Sequence, residues 1–197
     1  MVAQPQATSK PITLEAWAEL DEDDTREWVD GRLEDGEEPD GTHETVVMWL
    51  AGALLPWLKP LGGRAMGSGL KYAVSASRGR MPDFSVFLPG AGLPPPRGIV
   101  RSPPDIAVEV VTPTARDERR DRTEKLLEHA AFGVRWYWIV DPAARSFEIF
   151  AREASGHYAR VVALESGVIG EVQGCPGLVL DIDALWQDVE SLEPPIS

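Results

Sequence analysis

Cysteine is nearly absent: Cys175 is the only one in 197 residues. A single thiol excludes an intrachain disulfide and any zinc site built from several cysteines. No apolar run approaches the roughly 20 residues that cross a bilayer, and the N-terminus shows no signal-peptide pattern. A cytoplasmic protein without membrane contact is therefore expected. Basic residues are also scarce, 19 Lys and Arg against 32 Asp and Glu, for a net charge of -13. Such a deficit ordinarily argues against nucleic acid, whose phosphates attract basic surface. The distribution of charge reverses that inference. Glu15 to Glu44 holds 14 acidic and 2 basic residues, a net of -12, which leaves -1 for the rest of the chain. Leu61 to Pro82 holds Arg64, Lys71, Arg78 and Arg80 and no acid, so a polyanion can still be met there.

What is present is enough for a core, with 43% hydrophobic and 26% charged residues. Residues 1–11 are polar and read as a disordered tail, leaving one domain over 12–190 and a short tail at 191–197. "TLEAWAEL" predicts a short helix capped by Thr13. "REWVDGRLED" sets Asp30–Gly31 between two short runs, the strongest local hairpin signal. From Thr42, "THETVVMWLAGALLPWL" repeats apolar residues at helical spacing, and Pro56 is expected to kink or end that helix. Strands are expected around 64–75 and 83–88, then an exposed loop at "GAGLPPPRG". After a strand at 105–111, "TARDERRDRTEKLLEHAAFG" reads as a helix with Gly133 near its end. "VRWYWIVD" and "SFEIFA" form two strands joined at Asp141–Pro142, "HYARVVAL" and "GLVLDI" two more, and a short helix starts at Asp183. Strand, helix, strand over 105–140 implies a parallel pair. The class is α/β or α+β, with one central mixed sheet flanked by helices. The seven tryptophans are expected mostly in the core.

The stretch "PDIAVEVVTP", residues 104–113, poses the chemical question. Ile106, Val108 and Val110 point one way, while Asp105, Ala107, Glu109 and Val111 point the other. Burying Glu109 among apolar neighbours costs several kcal/mol unless it is paired, neutralised or bound to a cation. Asp83 opens "PDFSVFL", where another strand begins. Two carboxylates on adjacent strands can chelate one hard cation, because Mg²⁺ takes oxygen ligands and keeps several waters. Taken alone, Asp83 also reads as a turn or strand-end surface acid, and Glu109 as the solvent face of an edge strand or one half of a pair with an arginine. Lys125 lies nearly opposite Leu126, Leu127 and Ala130 on a helical wheel, which reads as a solvated lysine paired with Asp121.

The ordered set of Pro82–Asp83, "VEVVTP", "DRTEK" and "GVRWYWIVDP" resembles the PD-(D/E)XK nuclease superfamily. It is most similar to that superfamily's restriction-endonuclease branch known as the Uma-two family. The resemblance extends from "EWVDG" and His43 to "GLVLDI" and implies a restriction-endonuclease-like fold. It also implies an endonuclease that hydrolyses DNA with Mg²⁺ or Mn²⁺. Asp83, Glu109 and the Val110 carbonyl would hold the metal, with Lys125 as the catalytic lysine. The superfamily places that lysine two residues after the glutamate, where this chain has Val111; the branch moves it to the following helix. A tyrosine usual four residues after the lysine is His129 here. His43 and Glu27 are implied as auxiliary residues beside Asp121, and Asp105 is the reserve candidate for the acid.

Arg64, Lys71, Arg78, Arg80, Arg116 and Arg119 are candidate phosphate contacts, and Arg120 belongs with them. A homodimer anchored by exposed tryptophans is expected, since duplex cleavage cuts two strands. Two alternatives stand beside the endonuclease. One is a non-catalytic binding or assembly module on a degraded nuclease scaffold, and the other is a phosphodiesterase acting on RNA or a small phosphodiester.

Overall fold

Local signals set most of the elements in the computed structural model, which describes residues 11–21, 24–36, 39–112 and 120–192. Thr13 caps α1 (Leu14–Ala18) by accepting the Ala16 N–H. Strands β1 (Glu27–Val29) and β2 (Arg32–Glu34) pair across Asp30 and Gly31. Both turn residues have positive φ, 49° and 78°, as a type I′ hairpin turn requires. Helix α2 (Gly41–Leu61) begins where Asp40 accepts the His43 N–H and stops at Gly62, which is left-handed. Pro56 does not end it. The helix runs through both Pro56 and Pro60. Both prolines lie on the exposed side, while Val46, Leu50, Leu54 and Leu58 form a fully buried seam. Packing along that seam outweighs the lost backbone donors.

The strands β3 (Arg64–Gly67), β4 (Tyr72–Ala73), β5 (Arg78–Arg80), β6 (Phe84–Phe87) and β7 (Ile106–Val110) follow. A π-helical turn at Arg120–Lys125 leads into α3 (Leu126–Phe132), which Gly133 ends. Then come β8 (Trp136–Asp141), β9 (Ser146–Arg152), β10 (Tyr158–Leu164), β11 (Val168–Ile169), β12 (Leu180–Asp181) and α4 (Ile182–Glu190). Residues 113–119, and with them Arg116 and Arg119, lie outside the described residues, as do most of the two terminal segments.

Six strands make the central mixed sheet in the order β10-β9-β8-β7-β6-β3. Within it, among the described residues, β7 and β8 are the one parallel pair, as the strand–helix–strand pattern predicts. On one face, Phe84, Val86, Ile106, Val108, Val110 and Trp138 pack against α2 and α4 in the main core. On the other, Ala107, Val111, Tyr137 and Ile139 meet Leu126 and Phe132 of the α3 layer.

A second sheet runs β2-β1-β5-β4. Its strand β5, "RGR", carries no apolar side chain and is invisible to pattern reading. Gly79 is required there, because a Cβ would sit 2.5 Å from the Trp17 ring. The tryptophan expectation holds for the core and fails for the surface. Trp17, Trp28, Trp138 and Trp186 are buried and the other three are partly covered, so no exposed tryptophan offers a dimer anchor. Among the described residues, no helix is long and apolar enough to cross a membrane.

Candidate active site

Antiparallel register brings the two acids together. Phe84 pairs with Val108, so the next residue pair outward is Asp83 and Glu109, on the face away from the main core. Asp83 Oδ2 accepts the Val110 N–H at 2.7 Å, and its Oδ1 lies 3.1 Å from His43 Nε2. The Val111 N–H bonds to the Val140 carbonyl in β8. Across that planar trans peptide, the Val110 carbonyl therefore points the opposite way, toward the Asp83 side.

Glu109 is 1% exposed. Its Oε2 accepts from Lys125 Nζ at 2.7 Å, while Oε1 is buried with no hydrogen-bond partner among the described residues. Lys125 is buried, not solvated. Its Nζ also lies 2.9 Å from Asp121 Oδ1 and 3.8 Å from Glu27 Oε1. The helical wheel fails here because the second sheet covers the face it leaves to solvent: Glu27 arrives from β1 and Arg80 from β5. His129 packs from α3, its Nε2 3.6 Å from Glu109 Oε1 and its ring stacked 5.2 Å from Tyr137.

The electrostatics follow from burial. Burial pushes the Glu109 carboxyl up to about 8 against the pull of Lys125, and the charges of Asp83 and Glu27 add to the rise. Glu27 is equally buried, but Lys125, Arg80 and Arg120 overcome that penalty and hold its carboxyl below the ordinary range. Burial, then the positive charge of Lys125, pushes His129 down to about 3, so its imidazole is neutral at neutral pH. Two similar carboxylates thus sit in opposite regimes. Glu27 is compensated and keeps its charge, whereas Glu109 holds its proton until a further positive charge offsets the cost of burial.

A cleft of about 70 Å³ opens onto this cluster, lined by Glu27, His43, Asp83, Arg120 and Lys125 among others. That is room for an ion and a few waters, each needing ~10–15 Å³ of such space. A groove of about 1120 Å³ adjoins it and shares Thr25, Ser68 and Met81 with its wall.

The predicted basic row is mostly consumed inside the protein. Lys71 is buried, donates to the carbonyls of Trp17 and Leu20 at 3.1 and 3.0 Å, and lies over the Trp17 ring. Arg80 is 1% exposed and bonds to Glu27 and Glu128. Arg78 pairs with Asp30 and Glu128. The charges of these three candidate phosphate contacts are engaged by internal partners. Arg64 is exposed on the edge strand β3, and Arg120 donates to the Asp35 carbonyl beside the cleft.

Asp105, the reserve acid, is four residues from Glu109 at the far end of the strand pair, accepting the Leu88 N–H at 2.7 Å and facing Arg135. It is not part of the cluster. Sequence reasoning misses Glu128 and the double role of Arg80; the only hint is the acid-free stretch around Arg80.

The donor set suits a hard divalent cation in kind. Two carboxylates and a main-chain carbonyl are oxygen ligands, and Glu109 Oε1 is a buried acceptor left over. Among the described residues, no three His, Cys, Asp or Glu side chains are gathered as a ready cage. A site of two carboxylates completed by waters does not need one.

The mixed sheet that carries this cluster recurs in a solved structure, a "putative nuclease belonging to DUF820" from Anabaena variabilis. The two match with a TM-score of 0.69 and 19% identity over 91% of this chain and 99% of that one, a likeness that shows a common fold. The chain itself belongs to the Uma2 family, described as "Putative restriction endonuclease", whose profile matches residues 13–183. By that description the family is one of nucleases, which implies a nucleic-acid substrate. No curated protein matches the chain.

Proposed function

We propose that this protein is a Mg²⁺- or Mn²⁺-dependent endonuclease that hydrolyses DNA. The observation that carries the reading is the placement of Asp83 opposite Glu109 with Lys125 2.7 Å from Glu109, beside a cleft that Asp83 and Lys125 line. Asp83, Glu109 and the Val110 carbonyl would hold the ion. When bound, such an ion lowers the pKa of a coordinated water and stabilises charge on the phosphoryl group. The remaining work falls to the chain. The Val110 N–H and His43 fix the orientation of Asp83, and Lys125 supplies the positive charge that meets the phosphate or orients the attacking water. Buried walls keep bulk water from screening these charges. The adjoining groove gives a polymer a place to lie beside the scissile bond. Cleavage of both strands of a duplex favours a homodimer.

Incubation with plasmid, single-stranded DNA and RNA, each with Mg²⁺, Mn²⁺ or chelator, tests this. Metal-dependent DNA cleavage that chelator stops is the expected result. Folded, metal-binding protein that cuts nothing would sink it, and preference for RNA would replace the substrate. A monomer in sedimentation at micromolar concentration would remove the dimer. A non-catalytic module remains the second reading, because Asp83 and Glu109 already have internal partners in His43, Val110 and Lys125. Calorimetric titration with Mg²⁺ separates the two: a degraded site takes up no metal.

A further inference from the structure

A ladder of alternating charges runs from the cleft to the β1–β2 turn. Lys125 faces Glu27 at 3.8 Å, and Glu27 takes Arg80 Nη1 at 2.6 Å. Arg80 turns its other edge to Glu128, with Nε and Nη2 at 2.6 and 3.0 Å from the two carboxylate oxygens. Glu128 in turn takes Arg78 Nε at 3.1 Å, and Arg78 reaches Asp30. Arg80 therefore grips two elements at once with a planar fork, which a lysine cannot reproduce. It also stands three residues before Asp83, at the end of β5, where the chain leaves the second sheet for the central one. Glu128 lies three residues after Lys125, one helical turn along the same strip.

We infer that Arg80 and Glu128 are positioning residues: they clasp α3 to β5 and so set where the Lys125 ammonium stands relative to Glu109. The geometry gives the reason. Lys125 sits where the π-helical turn passes into α3, and the Arg80–Glu128 pair is the two-point polar link from that helix to the second sheet. Arg78 adds only a one-point contact to Glu128, short of fixing the helix along its axis to within the ångström that the Lys125–Glu109 contact demands. Neither residue lines the 70 Å³ cleft. Both act through Glu27 and Lys125.

The kinetic part of this inference rests on the nuclease reading, and a labelling experiment makes the rest independent of it. Glu128→Gln keeps shape and removes the charge at a partly exposed position, so the variant should still fold; Arg80→Lys serves as the second variant. Intact protein is treated with an amine-acetylating reagent and read by mass spectrometry. Exposed Lys59 reports reagent activity, and Lys71, buried under unrelated partners, reports global loosening. The expected pattern is Lys125 protected in the parent and acetylated in Glu128→Gln, with Lys71 protected in both. Protection of Lys125 in both variants, or joint exposure of Lys71, would overturn the inference. Where the parent cleaves DNA, Glu128→Gln should lower kcat about tenfold with KM within about twofold, one lost orienting contact being worth a factor of ten or so. In a Lys125→Ala background it should do nothing more. Additive losses mean that Glu128 acts only on general stability, and the clasp fails. If the parent cleaves nothing, the nuclease reading fails and the acetylation pattern alone decides the clasp.

Discussion

The two faces of β6, β7 and β8 follow one alternation with opposite contents. Toward α2, Phe84, Val86, Ile106, Val108, Val110 and Trp138 make a dry layer with Leu50 and Leu54 at zero exposure. Toward α3, the same strands present Asp83 and Glu109 to Lys125, Asp121, Glu27 and His129, all but Asp83 buried. Burial is nearly equal on both sides, yet it does different work. On the dry face it is the source of stability. On the polar face it carries a desolvation penalty that charge pairing only partly offsets, and what it yields is a carboxylate poised for a cation. Loss of a side chain should therefore register as stability on one face and as rate on the other.

The dry face should give the largest energy. Leu54→Ala removes a fully buried side chain from a seam that cannot easily collapse, at a cost of about 2–5 kcal/mol. Denaturant unfolding measures it. Mg²⁺ affinity per folded molecule should be unchanged; a large change would mean that the two faces are not separable. Next is Lys125→Ala, measured on cleavage at a temperature where both proteins are folded. It should lower kcat on the order of 100-fold, the scale of one preorganised electrostatic group, or about 2.7 kcal/mol. A rate within about threefold of the parent would return Lys125 to a structural role.

The dry face was readable from sequence, and the polar face only in outline. Alternation in "IAVEV" assigns both faces of β7, and Asp-Gly, Thr13, Asp40 and Gly133 mark turns and caps by local chemistry alone. Local chemistry is also why Pro56 misleads: proline's cost is intrinsic, whereas the seam that outweighs it is tertiary. Lys125 shows the limit most clearly. A wheel reports which side of a helix is apolar, not what will cover the polar side. Here the cover comes from Glu27 and Arg80, 98 and 45 residues earlier in the chain. Strand β5 fails for a related reason, since Arg80 has partners 48 to 53 residues away and Gly79 answers to Trp17.

His43 belongs to neither face, which makes it a sharper probe. It starts α2, the dry-face helix, yet its Nε2 reaches Asp83 at 3.1 Å. His43→Ala should leave metal affinity intact, because the Val110 N–H still holds Asp83. Turnover should fall about tenfold, or ~1.4 kcal/mol, less than for Lys125→Ala. Calorimetry and initial rates on the same variant separate the outcomes: lost Mg²⁺ affinity would instead make His43 a ligand.

The smallest effect has the most telling sign. Burial holds the folded Glu109 carboxyl up to about 8, above its ordinary value of 4.5, with Asp83 and Glu27 adding to the rise. Between those values the folded state binds more protons than the unfolded one, so Glu109 makes the metal-free protein less stable as pH rises through that window. Glu109→Gln removes the titration while keeping shape, and it does not strand Lys125, which retains Asp121 at 2.9 Å and Glu27. In chelator near pH 8 the variant should melt at or above the parent, by between zero and about 1 kcal/mol, as charges kept for function commonly allow. Near pH 4.5 the advantage should vanish. With Mg²⁺ at ten times its dissociation constant the parent should gain roughly 1.4 kcal/mol, and the variant much less. A dry-face rule applied to Glu109 predicts the reverse, since any lost buried contact would then lower stability at every pH. Melting curves for both proteins at the two pH values, with chelator and with Mg²⁺, decide between these. A variant destabilised at pH 8 in chelator, and still fully responsive to Mg²⁺, would make Glu109 a structural anchor for Lys125 and remove it from the metal site.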